Sequence, residues 1–214
     1  MSRAHLERPR PEAAGLRERK KQRTWHHLQS AAMQLFEEKG FEATTIDEIA
    51  AAADVSARTV FRYFPTKQDI VFGDTKAVLA QLLESVATRP AGEGPLTAAC
   101  AAAIECNATL DGTVAAQAVS LIAKSRQLQL YSVMQRDEWR RELGAALALR
   151  AGNRDPGPSE WVAAGIALGV MDGAAHVWHA RGAESGKLRT TTAELVELVW
   201  ALTNEPSPHA RRGR

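Results

Sequence analysis

Apolar residues recur along this chain with the three-to-four-residue spacing of amphipathic helices, and no sustained period-two alternation of β-branched residues indicates a strand. The first helix is predicted over about residues 24–39, and Gly40 supplies its C-terminal stop. Its apolar stripe consists of Trp25, Leu28, Ala32, Leu35 and Phe36. The pattern predicts an all-α fold.

Start and stop signals divide the rest of the chain. Thr45 and Glu48 have the spacing of a capping box, Ser56 is a good N-cap, and Pro65 ends the helix before it. Two segments rich in proline and glycine act as breaks, at 89–95 and 151–159. Further helices are predicted over about residues 45–53, 56–64, 66–88, 96–110, 113–130, 132–150, 159–180 and 190–203.

Residues 45–64 have the layout of a helix-turn-helix, with a tight turn at Asp54 and Val55. The side chains predicted to face inward on the second helix are Val60, Phe61 and Phe64. The side chains then left outward are Ala57, Arg58, Thr59, Arg62 and Tyr63. Guanidinium and hydroxyl groups suit base edges and phosphates, and Thr45 and Lys67 lie where they can reach phosphates. The pattern therefore indicates a unit that reads DNA.

Charge is unevenly distributed, although the net charge is only +2. Residues 1–23 carry eight basic and three acidic side chains, or +5, and residues 24–70 carry four basic and seven acidic ones, or −3. Residues 71–214 carry fifteen of each sign. A basic N-terminal run indicates contact with a polyanion, or else a solubilising tail.

The segment from Arg23 to Phe72 strongly resembles the DNA-binding head of the TetR family. The matching features are Gly40-Phe41, Thr44-Thr45-Ile46, Ile49-Ala50, Ala53, Val55-Ser56, Thr59, Tyr63-Phe64 and Lys67. Two positions depart from the family pattern: Phe61 stands where many relatives carry tyrosine, and Arg58 replaces a common glycine. The operator sequence is therefore not transferable from relatives.

The resemblance implies that the third helix is the recognition helix of a dimeric regulator. The residues implied to contact DNA are Arg23, Thr45, Ser56, Ala57, Arg58, Thr59, Arg62, Tyr63 and Lys67. Among them Thr45, Tyr63 and Lys67 are implied phosphate anchors, whereas Arg58, Thr59 and Arg62 are implied to read or border bases. The basic residues before the first helix are expected to touch phosphates or to enter a minor groove.

For the body, the resemblance implies a ligand pocket among the middle helices and a four-helix dimer interface from the last two. These two helices are apolar and rich in small residues, which suits a dimer interface. Ordinary packing within one chain is the alternative explanation of this composition. The pocket candidates are Asn107, Gln117, Met134, Trp139, Met171, Asp172 and His176, each of which also fits a purely structural role. The region that begins with RQLQLYSVMQRDEW and contains Arg126, Arg136, Arg140 and Arg141 loosely resembles the body of regulators that sense fatty acyl-CoA. We therefore expect an apolar or acyl-CoA-like effector.

The predicted organisation is a flexible basic arm at 1–18, a helix-turn-helix domain at 19–72, a ligand-binding and dimerisation domain at 73–204 and a disordered tail at 205–214. Cys100 and Cys106 lie about 240° apart on one predicted helix, so they are not expected to bond to each other. We predict a transcriptional regulator of the cytoplasm, where thiols remain reduced. No transmembrane helix, secretory signal, metal or cofactor is expected.

The predicted activity is repression, released by ligand, at a palindromic operator bound by a homodimer. An enzyme is disfavoured because no nucleophile elbow, phosphate loop or metalloprotease motif occurs in the sequence. A helical scaffold protein without specific DNA reading remains the alternative. It leaves unexplained why arginines 58 and 62 lie outward on a capped, proline-stopped helix.

Overall fold

The computed structural model describes residues 11–73, 75–109, 113–183 and 187–203. Within these ranges, all assigned elements of secondary structure are α-helices. The chain divides into two compact units, Met1–Gly73 and Asp74–Arg214. The helices are α1 (Pro11–Lys39), α2 (Ile46–Ala52), α3 (Ala57–Tyr63), α4 (Lys67–Phe72), α5 (Thr75–Thr88), α6 (Pro95–Thr109), α7 (Thr113–Lys124), α8 (Arg126–Arg150), α9 (Pro158–Ala180) and α10 (Lys187–Thr203). The all-α prediction is confirmed.

The first unit packs α2 and α4 against α1 and packs α3 against α2. Its core is aromatic and aliphatic, and its fully buried side chains include Leu28, Phe36, Phe41, Ile49, Val60, Phe64 and Ile70. The rings of Phe36 and Phe41 lie 5.1 Å apart across the end of α1. Gly40 makes this close return possible, since its φ of +85° lies in the left-handed region and its N–H donates to the Phe36 carbonyl at 2.9 Å.

The helix boundaries differ from the predicted ones in three places. Helix α1 begins at Pro11, so residues 11–18 are helical where a flexible arm was expected, and residues 1–10 of that arm lie outside the described residues. The single helix predicted over 66–88 is broken at Gly73, whose φ is +67°. The helix predicted to run to residue 130 ends at Lys124, because the buried Ser125 caps α8 by accepting a hydrogen bond from the Leu128 N–H.

The second unit is built around α6 and α9, which pack against each other and against α10. Helix α5 joins the bundle through α6 and α8, and α7 contacts α8 and α9. Alanines on α6 and α9 fill much of the core, together with Trp139, Leu143 and Met171. Because alanine side chains are short, they allow these two packed helices to approach each other closely.

The two cysteines face different parts of this core and are both free thiols. Cys100 packs with Val170 and Val196, whereas Cys106 packs with Trp139 and Leu143. Burial raises the pKa of each thiol to about 11, so both remain protonated at neutral pH. The predicted separation of the two thiols on one helix agrees with this arrangement.

Helix α9 has the length and mean hydropathy of a candidate membrane span, at 1.2 over its best 18 residues. One side of it packs against α6, α8 and α10 in the second unit, and 44% of that window is buried. Its apolar character therefore has a structural explanation as the central helix of the bundle.

Candidate DNA interface

The turn between α2 and α3 is tight and has a defined hydrogen-bond pattern. Asp54 takes a left-handed conformation with φ of +52°, which aspartate tolerates better than most residues. The N–H of Val55 then donates to the Ala50 carbonyl at 2.9 Å, which closes the end of α2. These bonds fix the direction in which α3 leaves α2, as a helix-turn-helix requires.

Helix α3 is held at both ends. The Ser56 hydroxyl accepts a hydrogen bond from the Thr59 N–H at 3.2 Å, and the two hydroxyls of these residues are 3.0 Å apart. At the other end Phe64 has an extended conformation, as expected of a residue before proline, and Pro65 stops the helix. The helix is therefore a short, rigid element of seven residues.

The predicted orientation of the α3 side chains is wrong at one position. Val60 and Phe64 are buried, but Phe61 is 50% exposed instead of facing inward. Positions 60 and 64 are one helical turn apart and share the inner face, whereas position 61 is turned about 100° away. Arg58 and Arg62 are exposed, as predicted, while Ala57, Thr59 and Tyr63 are half-buried.

The ammonium of Lys67, predicted to be a phosphate anchor, instead bonds to backbone carbonyls of the protein. Its Nζ donates to the carbonyls of Phe41, Glu42 and Thr44 at 2.7, 3.4 and 2.9 Å, and it lies 4.4 Å from the centre of the Phe41 ring. Burial lowers the pKa of this amine. An ammonium has three N–H donors, and these contacts use all of them. Lys67 thus ties α4 to the connection between α1 and α2.

Thr45 is exposed at the start of α2 and forms the predicted capping box. Its hydroxyl accepts from the Glu48 N–H at 3.2 Å, and its own N–H donates to the Glu48 carboxylate at 3.0 Å. Lys39 at the end of α1 also pairs with this carboxylate. The hydrogen bond from Lys39, followed by the one from the Thr45 backbone, lowers the pKa of Glu48 to about 2. Glu48 is therefore ionised and organises the N-terminus of α2.

Two further side chains shape this unit. The guanidinium of Arg62 lies 5.2 Å from the centre of the Tyr63 ring, so the arginine stacks beside the predicted phosphate anchor. The buried Gln29 donates from Nε2 to the Ile70 carbonyl at 3.0 Å and so joins α1 to α4, a contact that no sequence signal indicated. Arg23 lies exposed on α1, ahead of the packed part of that helix.

The predicted pocket residues of the second unit do not form one site. Met134 and His176 are exposed, and Gln117 is half-buried on α7. Asn107 is buried, and its Nδ2 donates to the hydroxyl of the buried Thr192 at 3.0 Å. A cleft of about 250 Å³ opens instead beside the end of α9 and the start of α10, and its lining comprises Trp178, Arg181, Lys187, Thr190, Thr191 and Glu194.

The remaining pocket candidates surround Arg136 on α8. Its Nη2 lies 2.6 Å from Oδ1 of Asp172, and its guanidinium carbon lies 4.9 Å from the centre of the Trp139 ring. Nη1 is buried, and among the described residues no atom accepts a hydrogen bond from it. Met171 belongs with Trp139 to the same core cluster. One half-buried cation with a spare donor therefore lies beside an aromatic and apolar core.

A helix-turn-helix with exposed arginines on its second helix defines the class of protein: a DNA-binding regulator. The sequence model described as "Bacterial regulatory proteins, tetR family" matches residues 28–72, which cover α2 to α4 and the last twelve residues of α1. The regulator TcmR of Streptomyces glaucescens is 41% identical over 91 residues, 42% of this chain and 40% of that protein. The putative mycofactocin biosynthesis regulator MftR of Mycobacterium tuberculosis is 30% identical over 164 residues, 72% of this chain and 81% of that protein.

Solved structures share the architecture of the chain. NalD, the secondary repressor of the MexAB-OprM efflux pump in Pseudomonas aeruginosa, is 19% identical with a TM-score of 0.57, covering 86% of this chain and 96% of that one. FadR from Bacillus subtilis, solved with stearoyl-CoA, is 18% identical with a TM-score of 0.55, covering 81% and 96%. The chain belongs to the TetR family of transcriptional regulators.

Proposed function

We propose that this protein is a repressor that binds a palindromic operator as a homodimer and is released by a small molecule. The observation that carries the proposal is the outer face of α3, where Arg58 and Arg62 are exposed on a helix capped at both ends. Arginine on a rigid helix can bind guanine bidentately in the major groove. The mode of regulation and the site residues rest on this geometry and on the family, whose relatives are regulators and not enzymes.

The proposal assigns different tasks to the DNA-binding residues. Arg58 and Arg62 read or border bases, and Arg23 contacts a phosphate from α1. Thr45 and Tyr63 position the unit on the backbone, together with the start of α3 at Ser56, Ala57 and Thr59. Lys67 acts indirectly, because its ammonium holds the connection that leads into Thr45. Such a protein acts in the cytoplasm, where the chromosome lies, and needs no catalytic activity.

Selection of bound duplexes from a random pool, with the purified protein at near-physiological salt, tests the DNA-binding proposal. We expect an enriched palindrome whose enrichment is lost in Arg58→Ala/Arg62→Ala. The matched control is Arg126→Ala/Arg154→Ala, which removes the same charge from exposed positions of the second unit. If neither the wild type nor the control enriches any sequence, specific DNA reading is refuted and the scaffold alternative gains.

The dimer interface is proposed on the outer face of α9 and α10. Gly165 and Gly169 lie exposed on α9, and a Cβ on either would meet no described atom within 4 Å. Gly173 differs, since its Cβ would lie 3.0 Å from Leu195, so that glycine already serves packing within the chain. The two open glycines leave room for a partner helix to approach closely.

Exposed apolar side chains lie on the same two helices. Val162 on α9 and Leu198 and Leu202 on α10 are each about 60% exposed or more, which is unusual for a face with no partner. We expect Leu198→Lys to shift the protein toward monomer in analytical ultracentrifugation. The matched control is Leu149→Lys, at a leucine near the end of α8 that is 77% exposed, against 59% for Leu198. An unchanged dimer in both variants, or a monomeric wild type, would contradict the assignment.

The effector site is proposed around Arg136, Trp139, Met171 and Asp172. Nη1 of Arg136 would bond an anionic or carbonyl oxygen, while the apolar core beside Trp139 would take a hydrophobic group. An acyl-CoA-like effector agrees with this chemistry. Oleoyl-CoA, oleate and oleyl alcohol separate the alternatives by their ability to release the selected operator. We expect the two anions, but not the alcohol, to release the operator, and we expect Arg136→Gln to lose this response. If none of the three compounds releases the operator, this effector class is excluded.

A further inference from the structure

Phe61 is the exception on the outer face of the recognition helix. Positions 58, 61 and 62 share one face of α3, since they are three and four residues apart. All three side chains are exposed, so a phenyl ring lies beside two arginine side chains on the surface expected to meet DNA. A single exposed apolar side chain is common on protein surfaces, but this one lies on the helix face that a helix-turn-helix presents to the major groove.

The side chains next to Phe61 already have partners inside the protein. The Thr59 hydroxyl lies 3.0 Å from the Ser56 hydroxyl, and the Arg62 guanidinium lies over the Tyr63 ring. Among the described residues the aromatic pairs of this unit join Trp25 to His26 and Phe64, and Phe36 to Phe41, and Phe61 takes part in none of them. The phenyl ring is thus free to contact another molecule.

In the major groove, the 5-methyl group of thymine is the apolar group that a base pair presents, and phenylalanine can contact it. We propose that Phe61 reads the thymine methyl group in each operator half-site. Neighbours on a helix face have Cβ atoms about 5–6 Å apart, which spans one or two base-pair steps of about 3.4 Å. The thymine therefore lies within two base pairs of a guanine read by Arg58 or Arg62. This inference rests on the proposed DNA-binding function.

The test removes the methyl group alone. Each thymine of the selected half-site is replaced in turn by deoxyuridine, which keeps every hydrogen-bonding group of the base pair. The full-length protein is expected to bind one such duplex about fourfold more weakly per half-site, the effect of uncovering one methyl group. Phe61→Ala is expected to bind the thymine duplex more weakly and to lose the discrimination between thymine and uracil at that position.

Arg58→Ala is the matched control from the same helix face. It is expected to weaken binding while keeping the thymine-to-uracil ratio of the wild type. Equal affinity of the wild type for thymine and uracil duplexes at every position overturns the inference, as does the same ratio in the wild type and Phe61→Ala. These results leave the enriched palindrome intact, whereas absence of any enriched sequence removes the proposed function and this inference together. An unchanged thermal midpoint of Phe61→Ala establishes that its fold is intact.

Discussion

The buried pair of Asn107 and Thr192 allows a quantitative test of the second unit. The Thr192 hydroxyl accepts a hydrogen bond from Asn107 Nδ2 at 3.0 Å and donates to the Leu188 carbonyl at 2.7 Å. Asn107 is 2% exposed and Thr192 is fully buried. Thr192→Val keeps the shape of the side chain but replaces the accepting oxygen with a methyl group. The amide of Asn107 then loses this partner without gaining water.

The magnitude follows from the burial of both groups. A buried donor left without its partner costs about 1–3 kcal/mol, so we expect Thr192→Val to lower the free energy of unfolding by about 2 kcal/mol. For a chain of this length, that corresponds to a fall of about 4–8 °C in Tm. Burial of the added methyl group offsets part of this loss, by up to about 0.8 kcal/mol, so the net cost stays below the upper end of that range.

Urea unfolding followed by tryptophan fluorescence measures the change, since Trp139, Trp161, Trp178 and Trp200 all lie in the second unit. All variants need the same protomer concentration, because the stability of a dimer depends on it. Thr190→Val is the matched control, because Thr190 is exposed and lies two residues before Thr192 on the same helix. We expect its effect to stay within about 0.5 kcal/mol.

The double variant Asn107→Leu/Thr192→Val completes the test. Removing both partners of a buried hydrogen bond can be nearly neutral, so the double variant is expected to be more stable than Thr192→Val. The reasoning is refuted if Thr192→Val costs no more than Thr190→Val. It is also refuted if the double variant loses as much stability as Asn107→Leu and Thr192→Val measured separately and added together. In that case the Asn107 amide is not tied to Thr192, and the predicted role in binding a ligand becomes the better explanation of its position.

Three further predictions concern the first unit. Lys67→Met is expected to cost about 2 kcal/mol of unfolding free energy, because three carbonyls lose a charged donor; thermal unfolding compares it with Lys76→Met, at an exposed lysine of α5. Glu48 has a pKa near 2 against an ordinary 4.5, so its contribution to stability is present above about pH 4.5 and is lost as the pH falls toward 2. Acid unfolding of Glu48→Gln should therefore depend less steeply on pH in that range, and an unchanged profile contradicts the pairing with Lys39. Gly73→Ala is expected to cost about 1–3 kcal/mol, since φ is +67° and the new Cβ would lie 3.2 Å from a buried glutamine nitrogen; an unaltered Tm contradicts that conformation.

The sequence was sufficient where the signals are local. The caps at Thr45 and Ser56, the stop at Gly40 and the end of α3 before Pro65 each depend on residues within one helical turn. The inward direction of Phe61 was wrong because α3 has only seven residues, too few for periodicity to separate adjacent apolar positions. An aromatic residue in a short apolar run looks like core whether or not it is buried.

Contacts between residues distant in the sequence were beyond such reasoning. The partners of Lys67 are backbone carbonyls 23 to 26 positions earlier, and a carbonyl leaves no trace in residue type. The pocket candidates were chosen as polar or aromatic residues on apolar helices, a criterion that core residues also meet. Trp139 and Asp172 meet at Arg136, whereas Asn107 bonds to Thr192 on another helix. Helix periodicity cannot distinguish these two outcomes, since it does not say which helices pack together.

Whether a side chain at the candidate interface is already hydrogen-bonded within the protein distinguishes residues that can position the protein from residues that can read bases. The hydroxyls of Thr45, Ser56 and Thr59 are engaged in caps, so a phosphate bound there would have to share or replace an existing hydrogen bond. Such a contact fixes the register of the helix but varies little with base sequence. Arg58 and Phe61 extend outward without a comparable bond, and their chemistry differs between guanine and the thymine methyl group. Sequence preference should therefore change with these two side chains, while substitutions at the capping hydroxyls should weaken binding to all duplexes alike.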